Sequence, residues 1–279
     1  MEMVKLNNKT EVPVLGLGLR GMKDPDICEQ VILAAFEAGY RRLDTSMYFN
    51  NDVYIGNALG SSGLKRDSIY ISTKLTPFSY RHDAKKKIET TIRKMKCGYV
   101  DSLLLGHFAG DIESGWKALE WACEQGLAKS IGVSNFYLIK HMEEIARFGN
   151  IKPQTDQIEC HPYMQHPKLS GYLAEEDIRL EAWFPLAGAH PALMENPLLM
   201  ELSRSYHRST AQIILRWHIQ SGHIIFPGTM NPGHMKSNLH CLDFELSQED
   251  MAKIKDLDTS RSLSRYSAPL KKFCHRHFV

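Results

Sequence analysis

Nothing in the sequence approaches the roughly 20 consecutive apolar residues of a membrane-spanning helix, so no membrane span is expected. Its six cysteines stand far apart, at 28, 97, 123, 160, 241 and 274, without a Cys-x-x-Cys pair. The opening residues MEMVKLNNKTEV lack the apolar core of a secretory signal. Free thiols in a reducing, cytoplasmic setting are the expectation. Charge of one sign is also lacking: 34 basic and 32 acidic residues leave +2, and the short basic clusters at 41–42, 85–87 and 271–272 sit among acids. That balance argues against nucleic acid and against a membrane surface as partners, and leaves a small-molecule ligand or substrate. Metal-ligand spacings are missing as well. The 13 histidines include no His-Glu-x-x-His run and read as surface or core residues, so no metal site is expected. The oligomeric state is left open.

What the sequence does contain is a repeating alternation. Apolar strand patterns at residues 12–18, 40–44, 68–75, 100–105, 130–133, 154–159, 179–184 and 223–226 are each followed by a helical pattern. Eight strand–helix units in 279 residues predict an α/β protein of one domain, a (β/α)8 (TIM) barrel over residues 1–279. An open doubly wound sheet would want a Gly-x-Gly-x-x-Gly turn, which Gly16, Gly18 and Gly21 do make. Those glycines precede Met22 and not a helix start, and no acid ends a strand where a ribose would need it, so the barrel is the better reading. Residues 260–279 lack any period.

Residues 41–56, RRLDTSMYFNNDVYIG, run from a short strand through an acid and a hydroxyl-rich turn into a helix start, a place where chemistry collects in α/β proteins. This segment resembles the signature of the aldo-keto reductase family, Asp-x-x-x-x-Tyr-x-Asn-Glu-x-x-x-Gly, with Asp44, Asn51, Asp52 and Gly56 in register. The resemblance runs from VPVLGLG to FELSQEDMAKIKDLD and includes GYRRLD at 39–44, TKL at 73–75, IGVSNF at 131–136 and DQIECHPY at 156–163. It implies a carbonyl reductase in which a tyrosine protonates the carbonyl oxygen, an Asp–Lys pair tunes that tyrosine, a histidine orients the substrate and NADPH gives hydride. Asp44 and Lys74 match the pair. The tyrosine position, however, holds Phe49 with Tyr48 beside it, and the histidine position holds Gly106 with His107 one residue late. A one-residue step on a strand turns the imidazole to the opposite face unless a bulge at Gly106 restores it. The candidate catalytic residues are thus Asp44, Tyr48, Lys74 and His107.

For a cofactor, the resemblance assigns Ser134, Asn135 and Gln157 to a carboxamide, Trp183 to a nicotinamide ring, and Thr229 and Asn238 to the nucleotide end. Its phosphate-gripping Ile-Pro-Lys-Ser appears as Phe226-Pro227-Gly228-Thr229, the matching arginine is His234, and Phe184 replaces a small serine. Arg20, Phe49 and Phe108 are the candidate substrate-pocket residues, and residues 260–279 correspond to a segment closing the pocket mouth. Because the departures at Arg20, Phe49, Gly106, Gly228 and His234 gather in one predicted cavity, the sequence favours a non-redox enzyme, of cyclase, isomerase or lyase type, that binds no nicotinamide cofactor tightly. The alternative is an NADP(H)-dependent reductase working with Tyr48 and His107 and using NADPH or NADH. A third reading is a non-catalytic binding or scaffold protein.

Overall fold

The computed structural model describes residues 1–22 and 24–264; most of the segment 260–279 lies outside the described residues. The chain enters through a hairpin, β1 (Met3–Lys5) against β2 (Glu11–Pro13), paired antiparallel with Val4 opposite Val12. Asn7 and Asn8, in its turn, donate side-chain hydrogen bonds to the carbonyls of Pro153 and Lys129. Both carbonyls lie at the starts of barrel strands, so the hairpin caps the amino end of the barrel.

Eight parallel strands follow in chain order: β3 (Leu17–Gly18), β4 (Arg42–Asp44), β5 (Tyr70–Leu75), β6 (Val100–Leu105), β7 (Ala128–Ser134), β8 (Thr155–Glu159), β9 (Arg179–Trp183) and β10 (Ile224–Phe226). Each pairs with its neighbour in sequence. The ring closes where Leu15 bridges Ile225, with the Ile225 amide on the Val14 carbonyl at 2.8 Å and the Gly16 amide on the Ile225 carbonyl at 2.9 Å. The barrel and its single domain are therefore as the sequence predicts. One predicted strand divides. Residues 12–18 serve two sheets, the hairpin up to Pro13 and the barrel from Leu17, and the chain passes between them at Gly16, where a Cβ would lie 2.9 Å from the Phe226 ring.

The strands are covered on both faces, which is why they read as unbroken apolar runs; every residue of Val100–Leu105 is buried. Helices outside are set by local signals. Asp24 caps Pro25–Ala38 through the Ile27 amide, and Gly39, at φ 110°, ends it with its own amide on the Ala35 and Phe36 carbonyls. Among the described residues no helix is long and apolar enough to cross a membrane.

Candidate active site

The carboxyl ends of the strands bring Asp44 and Lys74 together. Asp44 is the last residue of β4 and lies opposite Ser72 of β5, and Lys74, two residues further, points to the same face. Its ammonium sits 2.7 and 2.8 Å from the two Asp44 oxygens and 2.7 Å from the Thr45 carbonyl, which uses its three donors. Ser72 and Gln157 donate to Asp44 Oδ1 as well, at 3.1 and 2.9 Å. The network continues where Gln157 Nε2 also donates to Glu181 Oε2 at 2.9 Å and Glu181 pairs with Arg42, both fully buried. The Arg42 guanidinium lies over the Tyr70 and Phe226 rings at 4.4 and 4.8 Å. A line of charge thus crosses the barrel interior, cation, anion, amide, anion, cation, with each charge paired, as burial requires.

His107 joins Lys74. The β6 ladder extends to the Gly106 amide, which donates to the Leu75 carbonyl at 2.8 Å, and a Cβ at 106 would itself lie 2.8 Å from that oxygen. No side chain fits there, so the imidazole is carried by the next residue. The backbone of His107 is locked by Tyr80, whose hydroxyl accepts from its amide and donates to its carbonyl, both at 3.1 Å. Its ring is half-buried, and burial, then the Lys74 charge, lowers its pKa from 6.5 to about 4.

The sign of that shift gives an expected result. A folded-state pKa below the unfolded value costs nothing above pH 6.5, where the ring is neutral in both states, and destabilises progressively as pH falls toward 4, because the unfolded chain takes the proton first. Between those limits wild type should lose up to about 3 kcal/mol more stability than His107→Gln. Urea unfolding of the two proteins at pH 7 and pH 4.5 measures this, and equal losses would remove His107 from its buried position.

Tyr48 is not brought to Lys74. The turn closed by the Phe49 amide on the Ser46 carbonyl, at 2.8 Å, sends Met47 inward at 2% exposure and Tyr48 outward at 72%. The candidacy of Tyr48 as the acid is corrected accordingly: neighbouring residues on a tight turn diverge, and the phenol stands in solvent. Phe49 is half-buried, edge-on to Tyr48 with ring centres 6.5 Å apart. Phe108 likewise leaves the pocket. Its ring stacks on His141 at 3.7 Å and meets Phe136 edge-on at 5.3 Å, packing toward the helix Ile139–Phe148. Arg20 is exposed and places its guanidinium 5.7 Å from the centre of the Trp183 ring.

The end of β7 and the end of β9 meet through Asn135, a residue at φ 63°. Its amide donates to the Gly106 carbonyl and to Ser134 Oγ at 3.0 and 3.2 Å, and its oxygen accepts from Tyr137 and from Trp183 Nε1 at 2.9 and 3.0 Å. Trp183 is thereby fixed as a flat, half-buried platform. Gln157 is otherwise engaged: its amide nitrogen is bound to two carboxylates, so it braces Asp44 and Glu181. Phe184, at φ 61°, tucks its ring where a Cβ on Gly188 would lie 2.8 Å away.

Further round the mouth, a Cβ on Gly228 would come 3.3 Å from the Gly18 carbonyl, so the corner between β10 and β3 is narrow but open. Thr229 Oγ1 accepts from the Asn231 amide at 3.1 Å. Asn231 in turn caps the helix Pro232–Leu239, holding the Gly233 and His234 amides; His234 is exposed and Asn238 is buried. At the mouth, Glu159 accepts from Ser262 Oγ at 2.9 and 2.8 Å and from the Ser264 amide at 3.1 Å, which fastens residues 262–264 across the end of β8. Sequence reasoning missed Arg42, Glu181 and Tyr80 as parts of this network. An arginine and a glutamate inside otherwise apolar strands were the available signal.

A sequence profile of the aldo/keto reductase family matches residues 15–259. Over 265 residues, 94% of each chain, the sequence is 33% identical to a methylglyoxal reductase of Yersinia pestis. It is 33% identical to a glyoxal reductase of Bacillus subtilis over 260 residues, 92% of this chain and 93% of that one. A crystal structure of an aldo/keto reductase from Brucella melitensis superposes with a TM-score of 0.87 at 34% identity, covering 92% of this chain and 99% of that chain. These relatives correct the expectation of a non-redox cyclase, isomerase or lyase: proteins alike over nearly their full length are named as reductases. The expectation of no tightly bound nicotinamide cofactor falls with it, because reducing a carbonyl needs a hydride donor held beside it.

Proposed function

The chain belongs to the aldo/keto reductase family, and from that premise we propose that it reduces the carbonyl group of a small aldehyde or dicarbonyl, with NADPH or NADH as hydride donor. The observation that carries this reading is the buried Asp44–Lys74 pair at the carboxyl ends of β4 and β5, whose lysine charge also reaches His107.

When bound, the dihydronicotinamide supplies a hydride to the carbonyl carbon. The residues suited to hold it are Trp183 as a stacking face positioned by Asn135, Ser134 at its side, and Thr229, Asn238 and the start of Pro232–Leu239 toward the phosphates. That platform is rigid and the corner beside Gly228 is free of side chain, so the residues present fit a dinucleotide. The chemistry left to the chain is control of the carbonyl oxygen. His107, neutral at pH 7, keeps a ring N–H to donate to it, an imidazole acting as electrophile. Lys74 adds a fixed positive charge, held in place by Asp44 and Thr45, where negative charge develops on that oxygen. With Phe49 in the tyrosine position and Tyr48 in solvent, the proton is assigned to water. The relatives' names, methylglyoxal and glyoxal reductase, point to compact dicarbonyls as first substrates.

Oxidation of NADPH and of NADH, followed with methylglyoxal, glyoxal and a set of aromatic aldehydes, tests the reading. Turnover of at least one carbonyl with at least one nucleotide is expected. A folded protein that oxidises neither nucleotide with any of them overturns it.

A further inference from the structure

We propose that Cys160, His218 and His223 form a binding site for a borderline transition-metal ion, zinc in the first instance. The thiol sulfur and one nitrogen of each imidazole all lie within 4.8 Å of one another. Three separate elements supply them: Cys160 directly follows β8, His218 lies in the helix Thr210–Gln220, and His223 directly precedes β10. With 57 residues between the first two, no sequence spacing reveals the group.

The hydrogen bonding already sets one ligand. His218 Nε2 lies 3.3 Å from the Pro185 carbonyl, which can only accept, so Nε2 carries the proton and Nδ1 presents its lone pair. A carbonyl holding the far nitrogen of a ligand imidazole is the usual support in metal sites. That lone pair faces His223 Nδ1 at 3.1 Å. A tetrahedral zinc ion about 2.0–2.1 Å from each nitrogen holds two nitrogens roughly 3.4 Å apart, so the two rings need to part by only a few tenths of an ångström. The three donor groups are buried together. The neighbouring His161 is fully buried and its Nδ1 has no hydrogen-bond partner among the described residues, so further donor capacity stands beside the cluster.

Proton balance follows from the donors. The ion takes the Cys160 thiolate and two neutral imidazoles; the thiol proton leaves to solvent, and the His223 proton moves from Nδ1 to Nε2. One proton is released per ion bound, and three protein ligands leave one position for water. Bound there, the ion ties the end of β8 to the helix before β10, next to Glu159, which fastens residues 262–264. None of this depends on the carbonyl chemistry.

Cobalt(II) titrated into chelator-treated protein, in weak buffer near pH 7, tests the site. The expected result is a thiolate-to-cobalt charge-transfer band saturating at one equivalent, release of one proton, and bleaching by zinc. Surface histidines bind cobalt without that band. In Cys160→Ser the band should vanish, and in His223→Gln affinity should fall at least tenfold with the circular dichroism unchanged. Absence of the band at one equivalent overturns the proposal, as does a band of unaltered affinity in folded His223→Gln.

Discussion

Lys74→Met should lower carbonyl reduction on the order of 10²–10³-fold and destabilise the fold by about 3–5 kcal/mol. The two effects share one cause. Methionine has the length of lysine without its charge, so the oxygen of a bound carbonyl loses the nearest positive charge while the shape of the pocket is kept. Asp44 is left as a buried carboxylate with only Ser72 and Gln157 donating to it. Removing one partner of a buried pair costs more than removing both, because the remaining ion stays unsolvated. The double variant Lys74→Met/Asp44→Asn should therefore regain most of the lost stability and none of the lost turnover. Urea unfolding and nucleotide oxidation, run on the three proteins, separate the effects. Turnover within threefold of wild type in Lys74→Met would show that the pair only braces β4 against β5.

The sequence made the barrel legible because its strands are buried on both faces and so appear as short apolar runs. Val100–Leu105 appears with its observed limits, and most other strand limits fall within one or two residues. Residues 12–18 misled for a physical reason: an apolar run records burial, and it does not record which of two sheets buries it. Asp44 and Lys74 were legible through the resemblance, whose Asp–Lys pair they match in the intact motifs at 39–44 and 73–75. His107 was not, since its direction depends on how closely Gly106 approaches the Leu75 carbonyl, a contact between strands that alternation along one strand does not contain. Tyr48 and Phe49 hang on the turn at 46–49, and either could have faced inward. The Arg42–Glu181 pair spans 139 residues of sequence, and the Gln157 bridge to it is visible only once the barrel has closed.

If His107 supplies the hydrogen bond to the carbonyl oxygen, His107→Leu should reduce kcat/KM roughly 10²–10³-fold, the usual loss for one positioned oxyanion donor. His107→Gln keeps an N–H at similar reach and should lose distinctly less, a difference that simple damage to packing would not produce. Gly106 leaves no room for a side chain against the Leu75 carbonyl, so moving the histidine back with Gly106→His/His107→Gly should not rescue turnover. Tyr48→Phe should stay within about threefold of wild type, because a phenol 72% exposed is not positioned to transfer a proton, whereas a working general acid would cost on the order of 10²–10⁴-fold. The measurement is the dependence of nucleotide oxidation on carbonyl concentration, with kcat and KM resolved for each variant. A collapse in Tyr48→Phe with His107→Leu unharmed would reverse the assignment: the 46–49 turn would then have to swing Tyr48 inward when substrate binds, and His107 would be a core residue whose low pKa records burial alone.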